Sequence, residues 1–181
     1  DVASRLATDT FASHFDPAIP CPRLEECVKT AMQNANARVW EMSHSDPMLD
    51  GMGTTMVCMV MQDGQAVIGN VGDSRAYLID EEGIRQITRD HSLVGEMLTR
   101  GELTPYEAQH HPSRNVITRA IGAEKDIRCD TFALRPRSGQ YVLLCSDGLT
   151  GEVSEPEMYY EVYQSDVPEK ACQTLVDIAN S

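Results

Sequence analysis

The chain has 181 residues, 41% of them hydrophobic, and a formal charge of −13 at pH 7 from 28 acidic against 15 basic side chains. That length fits one domain with a substantial core, and the charge argues against affinity for nucleic acid or anionic membranes through phosphate contacts. No apolar run approaches the ~20 residues of a membrane span, and no signal peptide is visible at the start. The six cysteines form no C-x-x-C pair, and no histidine stands at zinc-finger spacing. Cys58 and Cys145 fall in apolar strands, as buried reduced thiols do, which points to a reducing compartment, the cytoplasm.

Residues 1–15 carry Val2, Ala3, Leu6, Ala7, Phe11 and Phe15 at helical spacing. A loop with Pro17, Pro20 and Pro22 separates them from a second amphipathic helix over 23–42, whose apolar face is Leu24, Val28, Ala31, Ala35 and Val39. Trp40 and the methionines read as core filler. After a polar loop over 43–53, strands are expected over 54–61 and 65–70, joined by the hairpin signal Asp63-Gly64. Strands over 75–79 and 84–88, turned by Glu81-Glu82-Gly83, extend these into a four-strand antiparallel meander.

Ser92 caps a helix over 93–100 that Gly101 stops, and Thr104-Pro105-Tyr106-Glu107 is a capping box opening another. Residues 93–115 therefore form a small helical insertion. His110-His111 closes it as an exposed helix end; adjacent helical residues do not face one another, so the two are a poor metal pair. Residues 116–121 are extended or helical, 127–134 and 140–145 are strands, and two further capping boxes, at Ser154 and Asp166, open helices over 155–163 and 167–180. Helices, strands, an insertion, then strands and helices is an α+β order, without the strict alternation of a doubly wound sheet.

Two stretches carry the chemistry. In AVIGNVGDSRAYLI (66–79) the polar run Gly72-Asp73-Ser74-Arg75 interrupts an apolar pattern. Such a run is ordinary turn chemistry on its own. In YVLLCSDGL (141–149) an apolar strand runs into Ser146-Asp147-Gly148. Two strands that each end on an aspartate can set carboxylates side by side, which is what a hard divalent cation requires.

Five stretches together resemble the metal-dependent, type 2C serine/threonine protein phosphatases, the bacterial branch in particular. They are Met52-Gly53-Thr54-Thr55, Asn70-Val71-Gly72-Asp73-Ser74-Arg75-Ala76-Tyr77, Thr88-Arg89-Asp90-His91-Ser92, Thr118-Arg119-Ala120-Ile121-Gly122 and Leu143-Leu144-Cys145-Ser146-Asp147-Gly148-Leu149. The resemblance implies a four-layer α-β-β-α sandwich of two antiparallel sheets flanked by helices, with residues 93–115 as the flap. It implies hydrolysis of phosphoserine and phosphothreonine by water bound between two Mg2+ or Mn2+ ions, with a third, weaker ion in bacterial members. Asp147 matches a ligand of the binuclear pair and Asp73 a ligand of the third site. Gly148 is expected to let the backbone turn close to the ion. Arg75 and Arg119 are expected to pair with Asp90 or other carboxylates, and His91 to hydrogen-bond structurally. Phosphoprotein substrates and a cognate serine/threonine kinase are the implied partners; nothing in the sequence indicates an oligomeric state.

The resemblance also implies an Asp-Gly-x-Gly-Gly motif ahead of the first helix and an Asp-Asn pair on a C-terminal strand. Residues 1–181 carry neither, so the expectation is a single phosphatase-like domain trimmed at both ends. Asp50-Gly51-Met52-Gly53 imitates the first motif, but Thr54 stands where the second glycine belongs and a strand, not the first helix, follows. Three readings stay open: part of an active phosphatase, a non-catalytic interaction module on the same fold, or, as the weakest, an unrelated α+β domain with coincidental motifs.

Overall fold

The computed structural model describes residues 2–165 and 167–181. Helices α1 (Val2–Ala12) and α2 (Leu24–Ser45) come first, followed by a 3-10 turn at Pro47–Leu49. Strands β1 (Met56–Gln62), β2 (Gln65–Val71), β3 (Arg75–Asp80) and β4 (Gly83–Gln86) follow. Helices α3 (Leu93–Thr99) and α4 (Pro105–Gln109) form the insertion, then come strands β5 (Asp130–Leu134) and β6 (Tyr141–Cys145). A single turn of helix, α5 (Asp147–Thr150), precedes α6 (Glu155–Gln164) and α7 (Pro168–Ala179).

The strands form two antiparallel sheets, ordered β1-β2-β5 and β4-β3-β6. The single four-strand meander expected from the sequence is therefore split between β2 and β3. The reason lies in burial: β2 is buried from Ala66 to Val71 and β3 from Ala76 to Ile79, so each must be the central strand of its own sheet. The link between them is Gly72-Asp73-Ser74. Gly72 has φ +107, and a Cβ there would lie 2.4 Å from Thr55 Cγ2, so the crossing needs a residue without a side chain. The β1–β2 hairpin matches its signal, because Asp63 (φ 51) and Gly64 (φ 72) both adopt the positive φ of a type I′ turn.

Ala3, Ala7 and Phe11 of α1 pack with Leu24, Val28, Ala31, Met32, Ala35 and Val39 of α2 in one core cluster over the β1-β2-β5 sheet. The whole apolar stripe read from α2 is buried. The second cluster joins Tyr77 and Ile79 of β3 to Met158, Val162, Ala171 and Leu175 of α6 and α7. Layer order is thus helices, sheet, sheet, helices, as the resemblance implied.

The remaining differences from the sequence reading are local. α1 ends at Ala12, and α2 runs three residues beyond its expected end, to Ser45. Trp40 is half-buried and packs its ring against His44 at 4.2 Å, while Met48 and Met61 are exposed, so the methionines are not uniformly core. Cys145 is half-buried, whereas Cys58 is buried and its thiol is pushed up to about 12 by desolvation. The capping boxes at Thr104 and Ser154 form with both reciprocal bonds. The one read at Asp166 lies outside the described residues.

Candidate metal centre

Strand register decides where the two singled-out aspartates go. β3 and β6 pair with Arg75 opposite Cys145, and each strand stops there on the side of the next loop. Asp73 precedes Arg75 by two residues and Asp147 follows Cys145 by two. Antiparallel pairing therefore delivers both carboxylates to the same end of the sandwich. The other sheet ends at that same place, since Asn70 of β2 pairs with Asp130, the first residue of β5.

Asp73 is half-buried and Asp147 exposed, at the first residue of α5. Burial, and next the negative charge of Asp147, push the Asp73 carboxyl above its ordinary value. A half-buried carboxylate raised by a neighbouring negative charge at a loop junction is what a divalent cation relieves. The Arg75 guanidinium acts in the relieving direction but is outweighed, because it is committed elsewhere. Arg75 Nε donates to both Asp90 oxygens at 3.0 Å, its Nη2 to Oδ2 at 2.6 Å, and its Nη1 to the Tyr77 hydroxyl at 3.0 Å. Burial lowers the Arg75 pKa, but Asp90 outweighs it and the net direction is up. Gln86 Nε2 donates to Asp90 Oδ1 at 2.8 Å and completes the acceptor.

The residues fit a divalent ion as partial ligands. Asp73 and Asp147 can each give oxygen to it. Among the described residues, however, no group of three or more His, Cys, Asp or Glu side chains comes together to hold an ion. Mg2+ keeps several waters and takes few protein carboxylates, so two fit one ion but not a binuclear pair. Gly148 lies in α5 without a positive φ, and a Cβ there would meet only Ser146 Oγ at 3.6 Å, so the backbone does not demand glycine at that position.

A second polar cluster backs the Gly72–Ser74 link. His91 is 5% exposed. Its Nδ1 accepts from the Gly72 N–H at 3.1 Å, and its backbone N–H donates to the Gly72 carbonyl at 2.9 Å. With Nδ1 an acceptor, the neutral ring carries its proton on Nε2, which lies 3.2 Å from Asp130 Oδ2. Arg119 Nη1 donates to Asp130 Oδ1 at 3.3 Å. The same Nη1 is 3.2 Å from His91 Nε2, a contact between two donors in this tautomer rather than a hydrogen bond. Burial lowers the His91 pKa, and of the neighbouring charges Asp130 works against this and Arg119 with it. For Asp130, burial raises the pKa, but bonding to His91 and the charges of His91 and Arg119 prevail and hold it low. Both arginines thus have carboxylate partners, as expected, and His91 makes structural bonds. Asp130 carried no signal beyond its place in a strand; its partners come from distant loops. Asn70 was equally silent. It is fully buried, its Nδ2 donates to the carbonyls of Gly72 (3.3 Å) and Arg89 (3.1 Å), and its Oδ1 has no partner among the described residues.

The insertion over 93–115 starts and returns beside His91. Ser92 bridges Ile117, and the His91 carbonyl accepts from Thr118 N–H at 2.8 Å. Ser92 Oγ caps α3 by accepting from Gly95 N–H at 3.1 Å. His110 is exposed and its Nδ1 sits 2.8 Å from the Tyr106 carbonyl, while His111 Nδ1 accepts from Ser113 N–H. A cavity of about 480 Å3 adjoins the return, lined by Arg119 and Arg128 among others. The larger cavity, about 630 Å3, opens at the other end of β3, by Asp80, Arg85, Arg135 and Arg137, and contains neither aspartate. Along β3 the two ends are about 17 Å apart at the usual rise per residue.

Comparison with known proteins agrees with this architecture. Residues 6–96 match the family Protein phosphatase 2C, half of the chain. The serine/threonine phosphatase stp of Listeria monocytogenes serotype 4b is 40% identical over 161 residues, which cover 87% of this chain and 64% of that protein. The chain therefore spans just under two thirds of the length of that curated relative. Crystal structures of the Staphylococcus aureus serine/threonine phosphatase Stp1 (TM-score 0.92, 35% identity, covering 99% of this chain and 71% of that one) and of the PstP catalytic domain in complex with two manganese ions (TM-score 0.86, 29% identity, 98% and 74%) share the fold. With half its length matched to the family and this similarity to a relative of which it covers 71%, the chain belongs to the protein phosphatase 2C family.

Proposed function

We propose that this chain is part of a metal-dependent phosphoserine/phosphothreonine protein phosphatase, and that Asp147 and Asp73 are ligands of its Mg2+ or Mn2+ ions. The observation that carries the reading is the β3–β6 register, which delivers both carboxylates to one end of the sandwich. Family membership supports the reaction, and the manganese bound to the PstP neighbour supports the choice of cation. Bound divalent ions supply water of lowered pKa and neutralise phosphate charge. The chain's own residues hold the carboxylates in place. The Gly72–Ser74 link fixes Asp73, α5 presents Asp147 to solvent, and the Arg75–Asp90 pair removes a competing cation from Asp73. Asp147 is assigned to the binuclear pair and Asp73 to the third, weaker site. The insertion over 93–115 is read as the flap bordering this site.

Phosphoproteins are the substrate class, and a serine/threonine kinase acting on the same proteins is the expected counterpart. Every cysteine of the chain is a free thiol, which supports a reducing compartment, the cytoplasm. No helix among the described residues is long and apolar enough to cross a membrane. The test is phosphate release from a phosphothreonine peptide by the full-length protein across a Mn2+ titration. Release that requires Mn2+ and is lost in Asp147→Asn supports the reading. No release at any Mn2+ concentration favours a non-catalytic module.

A further inference from the structure

The strongest polar network outside the two aspartates is the one behind them. The segment bearing Asp73 has few anchors of its own. Its first residue, Gly72, has both backbone groups tied to one residue, His91: the N–H by Nδ1 at 3.1 Å and the carbonyl by the His91 N–H at 2.9 Å. On the far side Gly72 is pressed against Thr55, whose Oγ1 is 2.9 Å from Ser74 Oγ. His91 is in turn buried, and its Nε2 proton is held by Asp130 on the other sheet, with Arg119 as the second partner of that carboxylate. A buried imidazole with both nitrogens and both backbone groups engaged has one permitted orientation.

We propose that His91 is a positioning residue: oriented by Asp130, it clamps Gly72 and thereby fixes the adjoining Asp73 carboxylate at the end of the sandwich shared with Asp147. The inference rests on the metal reading above and adds a residue that touches neither carboxylate. It has a chemical requirement that simple packing lacks. An acceptor must stand at the Nδ1 position. His91→Asn places an amide oxygen near Nδ1 and gives up the Asp130 bond, while His91→Gln reaches toward Asp130 and leaves the Gly72 N–H unpaired. A merely space-filling histidine would respond to both changes in proportion to lost packing.

The experiment uses the full-length protein and two readouts. Hydrogen exchange at the Gly72 amide, in metal-free protein, reports the clamp itself. Mn2+ affinity, from the electron paramagnetic resonance signal of free Mn2+, reports its consequence. Expected are a protected Gly72 amide in wild type, a partly protected one in His91→Asn, which keeps the acceptor but gives up the Asp130 bond, and a fast-exchanging one in His91→Gln, with Mn2+ affinity about 10-fold or more weaker in His91→Gln and less reduced in His91→Asn, the usual scale for losing an outer support of a ligand. Should His91→Gln fail to fold, Asp130→Asn, at a position 27% exposed, removes the orienting charge and is expected to give an intermediate loss of both. Equal exchange in His91→Asn and His91→Gln overturns the clamp whatever the metal does. Normal Mn2+ affinity in His91→Gln with an unprotected Gly72 amide overturns the link to Asp73. Unchanged affinity in Asp147→Asn instead overturns the metal reading, and the proposal with it.

Discussion

Replacing Asp90 by alanine removes the acceptor of three guanidinium contacts, two from Nε and one from Nη2, and of the Gln86 amide. The Arg75 and Asp90 side chains are 29% and 15% exposed, so this is a mostly desolvated, bidentate pair. Breaking a buried pair from one side costs about 3–5 kcal/mol, because the remaining charge stays buried without compensation. Arg75 keeps its bond to the Tyr77 hydroxyl and some access to water, which puts the expectation at the low end, about 3 kcal/mol. For a chain of this size that is a fall in Tm of roughly 6–12 °C by calorimetry. The Arg5–Asp9 pair on α1, 3.8 Å apart with side chains 86% and 72% exposed, is the control, and Asp9→Ala is expected to cost about 0.5 kcal/mol or less. A double-mutant cycle with Arg75→Met and Asp90→Leu should return a coupling of about 1.5 kcal/mol or more. If Asp90→Ala costs less than about 1 kcal/mol, no stronger than an exposed pair, the claim that Asp90 takes Arg75 out of competition for Asp73 fails.

Gly72→Ala should destabilise by about 2 kcal/mol or more, from positive φ plus overlap with Thr55, whereas Gly51→Ala, also at positive φ but with open space around it, should cost only about 1 kcal/mol; chemical denaturation of both variants settles the contrast. Asp73→Asn should raise Tm in EDTA and weaken Mn2+ binding: the folded-state pKa of Asp73 lies above the unfolded value, so its ionised form opposes folding at neutral pH and this opposition fades as pH falls. A lower Tm in EDTA would contradict the repulsion from Asp147. The His91–Asp130 cluster has the opposite sign. The folded pKa of His91 is depressed, so its contribution is full above the unfolded value near 6.5 and is lost as pH falls below it; Asp130, also depressed, loses its share at still lower pH. The Tm of His91→Asn should therefore depend less steeply on pH between about 7 and 5 than that of wild type, and equal slopes would refute this.

Much of this was written in local pattern. Leu24, Val28, Ala31, Ala35 and Val39 recur at helical spacing and are all buried; Asp63-Gly64 demands positive φ and has it; Thr104 and Ser154 cap as their spacing requires. What escaped was long-range. Strand pairing is set by which strands bury both faces, and the uninterrupted apolar runs of β2 and β3 held that information, although a meander was the simpler reading. α5 is a single turn with no periodicity to detect. Asp73 and Asp147 were legible because each breaks an apolar strand. Asp130 and Asn70 were not, since a strand's first or last polar residue looks ordinary until its partners, His91 and the carbonyls of Gly72 and Arg89, arrive from another loop.

The most direct measurement of the central claim is p-nitrophenyl phosphate hydrolysis by the full-length protein, with and without Mn2+, beside Asp147→Ala and Asp9→Ala. Hydrolysis is expected to need Mn2+, to survive Asp9→Ala and to fall to background in Asp147→Ala. Mn2+-dependent hydrolysis that Asp147→Ala leaves intact would contradict the claim, because the carboxylate that β6 delivers to the end of the sandwich would then have no part in the reaction.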